Sequence, residues 1–501
     1  MGCSNNSDSP EPEPQSATVS ITASKSNAIE PDTNGAFTLQ LSETVSSAVE
    51  VTLIISGTAT NGTDYEKISS LATLPANTIS LNIPVNVIDD TDEEGVETVT
   101  VTLSYTNNTK VKIGNPDRAT VSISEEPEQA FVLKPEETRS YMVNANATEE
   151  TVALFYNLKI LSESKFIVGQ QDAFNFFYNN NAGDSDIKKT TGNDPGLLGS
   201  DFMFITDDQN DETSDNWFYQ QEQIIRDDAI EAYSKGMVNA FCWHIREPYE
   251  GKNFYTSEMT DFQKNNAFKS IIPGGENHEY YKQKLQKVAQ VAKTLVGSDG
   301  KQVPIIFRLF HEFDGNWFWW GQDYCTPQEF IVVWRFTVEY LRDELGVNNM
   351  LFAFSPDNHF STETQYLMRY PGDAYVDILG MDNYGDFNNK GQTGVDQANS
   401  KLQILTKLAK EKVKIAALTE TGYFVTPGTN SPISDFYSVN LYNAITGNEV
   451  EIAYLMFWSN SENTYCTPVP GMPDTDNFIE FINTQAAILQ NELPNIYTLP
   501  Q

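Results

Sequence analysis

The sequence predicts an α/β chain in two parts, an all-β sandwich followed by a (β/α)8 TIM barrel, and three observations lead there. Residues 17–125 carry six short segments in which Val, Thr and Ile alternate with polar residues, parted by turn clusters. From residue 140 onward, eight near-continuous apolar runs alternate with amphipathic stretches, the pattern of parallel strands covered by helices. Each of those eight runs ends in polar or aromatic residues, at the edge where a β/α barrel gathers its active site.

The chain opens with Met1-Gly2-Cys3 and the polar stretch SNNSDSPEPEPQ. A Gly-Cys followed by a Ser/Asn/Asp/Pro tether is similar to the mature end of a bacterial lipoprotein. Residues 1–16 are therefore read as a flexible tether. Acyl groups on Cys3 would hold the protein to the bacterial envelope, as an outer-membrane or cell-surface lipoprotein or in the periplasm. A plain polar start with an incidental cysteine is the other reading.

The alternating segments follow: TVSITA (18–23), AFTLQLS (36–42), VEVTLIIS (49–56), SLNIPVNVI (80–88), ETVTVTLS (97–104) and ATVSIS (119–124). Period-two alternation with frequent turns predicts an antiparallel, immunoglobulin-like sandwich. GTATNGTDY (57–65) and VIDDTDEEGVETVTVTL (87–103) resemble the Calx-beta family. The resemblance implies calcium ligands among acidic turn residues, and the matching positions are Asp64, Asp89, Asp90 and Glu97. Solvated acidic turns account for the same residues more simply, so no metal is assigned. The sandwich is expected to act as a spacer or accessory module. The Pro/Glu-rich stretch from 126 to 139 reads as a linker.

In the part from 140 to 501, the strand candidates are KFIVGQQ (165–171), DFMFITDD (201–208), GMVNAFCWHI (236–245), VPIIFRLFHE (303–312), NMLFAFSPD (349–357), YVDILGMDNYG (375–385), VKIAALTETG (413–422) and EIAYLMFWSN (451–460). Residues 280–297 and 327–345 are the clearest intervening helices. No GxGxxG or P-loop motif supports a doubly wound sheet instead.

Composition narrows the partners. With 501 residues, 40% of them hydrophobic and 12% aromatic, the chain has material for more than one core. A formal charge of -37 excludes nucleic acid and an anionic membrane surface as partners, since both would be repelled, and suits a neutral substrate. No apolar run reaches 18 residues, so membrane attachment would come only through the N-terminal lipid. The cysteines are Cys3, Cys242, Cys325 and Cys466, too few for a disulfide scaffold. Cys242 reads as a small buried hydrophobe, while Cys325 and Cys466 lie in loops where one disulfide could join them. None has zinc-ligand spacing. A monomer without cofactor is expected.

The strand ends carry the chemistry. They present Gln170, Gln171, Asp207, Trp243, His244, His311, Glu312, Asp357, Asn358, Asp382, Tyr384, Glu420 and Trp458. Glu312 and Glu420 end the fourth and seventh runs, and a pair of carboxyls is what glycoside hydrolysis needs. Their separation, which decides between retention and inversion, is not readable from sequence. Directly after Glu312 come Trp317, Phe318, Trp319 and Trp320. Flat aromatic faces suit sugars, and Trp317 is expected to reach the substrate while Phe318 and one of Trp319 and Trp320 fill the core.

HEFDGNWFWWG (311–321), LTETGY (418–423), CWH (242–244) and the opening TEETVALFYNLKILSESKFIVGQQD (148–172) resemble glycoside hydrolase family 26. That family consists mainly of retaining endo-β-1,4-mannanases on a (β/α)8 barrel. The resemblance spans about 140–501 and implies Glu312 as general acid/base and Glu420 as nucleophile. It implies His311 as a residue that positions the acid/base, and His244, Trp317, Tyr384 and Trp458 as lining the sugar subsite, with Trp243 and Asp382 beside them. Tyr384 is expected to hydrogen-bond the nucleophile. The expected partner is mannan or galactomannan. The sequence departs at GQQD, where a histidine is common, and in long loops near 174–198 and 249–276. Those loops leave release of mannobiose from chain ends and a xylanase or lichenase standing as rivals; a non-catalytic glycan-binding lipoprotein is the third, although such a protein would usually have lost one of the two glutamates.

Overall fold

The computed structural model describes residues 16–89, 95–125 and 131–500. It divides into two compact units, one up to Val132 and one from Leu133.

The first unit is all β, with strands β1 (Ala17–Lys25), β2 (Asn27–Glu30), β3 (Gly35–Leu41), β4 (Val49–Gly57), β5 (Leu71–Leu74), β6 (Ser80–Val85), β7 (Glu97–Thr106), β8 (Val111–Ile113) and β9 (Arg118–Glu125). They form two sheets, ordered β6-β3-β1-β8 and β2-β9-β7-β4-β5. All pairs are antiparallel except β1–β8 and β2–β9. Alternation sets the faces. In β4, Val49, Val51 and Leu53 point into the core while Glu50 and Ile54 face solvent. The short strands β2, β5 and β8 escaped the sequence reading because three or four residues cannot display a period of two.

Of the calcium candidates, one has a structural role. Asp64 is buried and its Oδ2 accepts the Thr60 N–H at 2.6 Å, closing a turn. Asp89 is exposed, Glu97 is half-buried, and Asp90 lies outside the described residues, as do Cys3 and residues 1–15. Among the described residues this unit holds no group of three acidic, Cys or His side chains within ligand distance of one another.

The second unit is a closed parallel barrel of β10 (Phe166–Gln171), β11 (Leu197–Asp201), β12 (Val238–Cys242), β13 (Ile305–Arg308), β14 (Met350–Phe354), β15 (Ile378–Asn383), β16 (Ile415–Thr421) and β17 (Tyr454–Phe457). Each strand pairs with the next, and β10 closes the ring by pairing with both β11 and β17. Helices fill the connections, among them His278–Thr294 and Pro327–Glu339. The latter starts on a capping box, Thr326 with Glu329, and has Pro327 in its first turn, where the missing N–H costs nothing.

Three expectations need correction. The second strand is LLGSD (197–201), not DFMFITDD, whose apolar residues lie beyond the strand end. Phe202 packs at 4.6 Å from Phe241 and 5.4 Å from Phe307, so its hydrophobicity belongs to rim packing. Leu133 is buried and Pro135–Tyr141 forms a 3-10 helix of the second unit, so the stretch read as linker to 139 already belongs to the barrel from 133. Cys325 and Cys466 are separate buried thiols. Cys325 receives the Arg369 guanidinium at 3.3 Å, and Cys466 faces the Thr421 carbonyl at 3.7 Å. Cys242 is buried in its strand. Among the described residues, no helix is long and apolar enough to cross a membrane.

Candidate active site

The site grows from the inward face of the strands. On β13, Ile306 points into the barrel and packs with Leu351, Ile378 and Ile415, so Arg308, two residues on, points inward as well. A guanidinium at 0% exposure needs compensation, and two carboxylates supply it: Nη1 donates to Asp382 Oδ1 at 2.6 Å and Nη2 donates to Glu420 Oε1. Burial works against the Arg308 charge, but Asp382 and Glu420 outweigh it and hold the pKa well above its ordinary value.

A β-bulge brings Glu420 into this cluster. Met381 pairs with Leu418, but Asp382 pairs with Glu420, leaving Thr419 as the extra residue. Thr419 and Glu420 therefore both reach the interior, Thr419 Oγ1 donating to Asp382 Oδ1 at 2.6 Å. Tyr384 donates its phenol to Glu420 Oε2 at 2.9 Å, so both carboxylate oxygens of Glu420 are held. Just beyond, Gly422 has φ 144°, and a Cβ there would lie 2.0 Å from Cys466 Sγ, so only glycine fits.

Glu312 enters differently. The chain leaves β13 through Phe310 and Glu312, at φ 46° and 54°. Left-handed backbone costs a non-glycine residue about 1–3 kcal/mol, and such strain gathers at functional sites. The Glu312 N–H donates to the Ser355 carbonyl at 2.8 Å, and Trp317 Nε1 donates to Glu312 Oε2 at 2.5 Å. One oxygen each of Glu312, Asp382 and Glu420 lies within 4.8 Å of the others. Burial, and then the charges of Glu420, Asp382 and Asp357, push Glu312 well above the ordinary carboxyl range, with the Trp317 bond opposing. Asp382 is likewise pushed up by burial and by Glu420, although Arg308 opposes. One guanidinium does not balance two buried carboxylates. The arrangement thus offers a proton-holding carboxyl beside a fully hydrogen-bonded carboxylate, the division of labour that acid-assisted displacement at a sugar carbon requires.

A histidine chain flanks the pair. His244 Nδ1 meets Asp201 Oδ2 at 2.6 Å, and its Nε2 meets His311 Nε2 at 3.3 Å. Burial, then His244 and Arg308, lower His311 well below the ordinary histidine pKa, and its Nδ1 is buried without a partner, both in keeping with a neutral ring. Burial pushes Asp201 up, but the contacts with His244 outweigh it and leave Asp201 below its ordinary value.

Of the expected subsite residues, Trp317 bonds Glu312 and Tyr384 bonds Glu420, while His244 and Trp458 line a pocket of about 180 Å³ with Phe254 and Tyr255. Three expectations change. Trp243 is fully buried, donates to Thr206 Oγ1 at 2.8 Å and stacks on Tyr281, so it faces the helices and not the cleft. Asp382 at 0% exposure meets Arg308, not a sugar. His311, expected to position the acid/base, is 1% exposed and meets His244 through Nε2 at 3.3 Å. Trp319 and Trp320, along with Phe318, are all core; the Trp320 indole N–H caps the His311 carbonyl at 2.7 Å. Asp207 is drawn away to Arg246, and Asp201 stands at the true second strand end.

The sequence reading passed over Arg308, Asp201 and Asp172. The signal for Arg308 was there, a charge inside the apolar run IIFRLF, and such a residue is buried only when paired. Asp172, at the end of β10 on the pocket wall, is pushed up to about 8 by burial and by Asp201.

Both units resemble known proteins. The sequence pattern of Glycosyl hydrolase family 26 matches residues 143–466, and that of the Calx-beta domain matches residues 13–127. A mannan endo-1,4-beta-mannosidase of Bifidobacterium adolescentis is 32% identical over 325 residues, 63% of this chain, and the match spans only 32% of that enzyme's own length. The structure of GH26C from Muricauda sp. MAR_2010_75 superposes with a TM-score of 0.74 at 65% identity, covering 74% of this chain and 99% of that one. A GH26 beta-mannanase from Bacteroides ovatus gives 0.62 at 31% identity, over 70% and 98% of the two chains.

Proposed function

The chain belongs to glycosyl hydrolase family 26, and on that premise we propose that its barrel is a retaining endo-β-1,4-mannanase. The observation that carries this reading is the approach of Glu312 and Glu420, with oxygens within 4.8 Å of each other. Retaining pairs stand about 5–5.5 Å apart, whereas inverting pairs leave about 6.5–9.5 Å for a water.

In the proposed reaction, Glu312 gives its proton to the glycosidic oxygen while Glu420 attacks the anomeric carbon. The C–O bond to the leaving sugar breaks as the bond to the Glu420 carboxylate forms. Glu312, now ionised, takes a proton from water, whose oxygen attacks the same carbon and releases Glu420. The product keeps the β configuration after two inversions. Arg308 and Tyr384 orient the Glu420 carboxylate, and Trp317 orients Glu312. His244, Trp458 and Trp317 offer the ring surfaces and polar edges that a pyranose needs.

Mannan as substrate is supported by the names of the relatives above, and the charge of -37 suits such a neutral polymer. The test is digestion of mannan, galactomannan, xylan and mixed-linkage glucan, with product length followed over time. Mannan and galactomannan should give early products of mixed length. Mannobiose alone from the outset would replace the endo reading with chain-end attack, and cleavage confined to xylan or mixed-linkage glucan would overturn mannan.

A further inference from the structure

Trp217 is 51% exposed, a large aromatic surface that the core does not use. It opens the helix Trp217–Ser234 that follows β11. Residues 217, 221 and 225 lie four apart, so they form one row along that helix. Gln221 and Ile225 of this row line the pocket beside His244 and Trp458, together with Phe204 and Phe176. Trp217 therefore continues the pocket wall outward, about 6 Å beyond Gln221 along the helix axis. Its ring is braced, not loose: Phe204 meets it edge-on at 5.1 Å and Phe218 at 5.0 Å. Phe204 touches both the pocket and Trp217, which makes the surface continuous. Phe176, 45% exposed, is a second ring on the same wall.

From this we infer that Trp217, braced by Phe204 and Phe218, is a distal stacking platform for a further pyranose of a β-linked glycan whose nearer sugars occupy the pocket at His244 and Trp458. A flat, exposed, rigidly supported indole next to a polar side chain suits the C–H face of a neutral sugar. The polymer is the occupant that the continuity with the catalytic cleft selects, since a chain leaving the pocket along this wall must pass over the ring. The inference rests on the glycanase reading above and adds to it a dependence on substrate length.

The test compares wild type, Trp217→Ala and Trp217→Phe in the full chain on linear β-1,4-mannooligosaccharides of three and six units. The ratio of kcat/KM for the hexasaccharide to that for the trisaccharide should fall about tenfold in Trp217→Ala, and Trp217→Phe should recover most of it. An unchanged ratio, or an equal loss on both substrates, would overturn the platform. A second arm is independent of the substrate assigned above. With Glu312→Gln as the binding form, electrophoretic retardation is measured in gels holding mannan, xylan or mixed-linkage glucan. Whichever polymer retards the parent should retard the added Trp217→Ala variant less, and undiminished retardation contradicts the platform. Failure to hydrolyse any mannooligosaccharide, with retardation by another glycan weakened in Trp217→Ala, would sink the mannanase reading and leave the platform standing.

Discussion

Glu420→Ala is expected to lower kcat on the order of 10^4-fold, with the barrel still folded. The loss follows from removing the group proposed to attack the anomeric carbon. The fold should survive because Arg308 keeps Asp382 as its counter-ion at 2.6 Å. Steady-state turnover of mannan and far-ultraviolet circular dichroism measure the two halves of this claim. Azide supplies a signature beyond mere loss. In Glu420→Ala it can enter the vacated face and displace the leaving group in a single inversion, which gives an α-glycosyl azide. Turnover near the wild-type rate would remove Glu420 from the reaction.

Glu312→Gln is the second large effect, with kcat on natural mannan falling about 10^2–10^4-fold, the usual worth of a general acid/base. An aryl glycoside with a good leaving group should suffer less in the first step, because its phenolate departs without a proton. Azide then attacks the glycosyl-enzyme on Glu420, and the double inversion gives a β-azide, opposite to the Glu420 variant. The pH dependence has a definite sign. Burial and the nearby Glu420 keep the Glu312 proton bound well above the ordinary carboxyl range. Activity should fall as pH rises through that raised pKa, and this alkaline limb should vanish in Glu312→Gln.

Stability should move the other way. A carboxyl whose pKa is raised by folding binds its proton more tightly in the native state. Its stability cost is therefore absent below the unfolded pKa of about 4.3, grows as pH rises from there, and levels off above the native pKa. Glu312→Gln removes that cost, so the variant should melt above wild type at neutral pH. A lower melting temperature would contradict the burial of a proton-holding group at this position.

Much of this site was legible along the chain because strand ends announce themselves. Glu312 and Glu420 each follow an apolar run, and a barrel brings such ends to one face whatever their separation in sequence. What the sequence hid depends on neighbours across the barrel. Arg308 joins Glu420 over 112 residues and Asp382 over 74, so the buried ion cluster has no local signature. The bulge at Thr419 is a matter of register between two strands, which composition does not encode. Trp243 looked like a cleft residue because it adjoins His244. Successive residues point to opposite sides, however, and its ring goes to Tyr281 while His244 turns to Asp201. The second strand slipped for a related reason: LLGSD is short and rich in small residues, whereas FMFI looked more like a strand and serves as rim packing.

The central claim is a double displacement between Glu312 and Glu420, and the configuration of the first product tests it most directly. Proton NMR during the first minutes of mannooligosaccharide hydrolysis resolves the two anomers before mutarotation mixes them. The geometry predicts that the β-anomer of the new reducing end accumulates first and the α-anomer only later. An α-anomer appearing first would mean inversion, and would contradict the assignment of Glu420 as nucleophile.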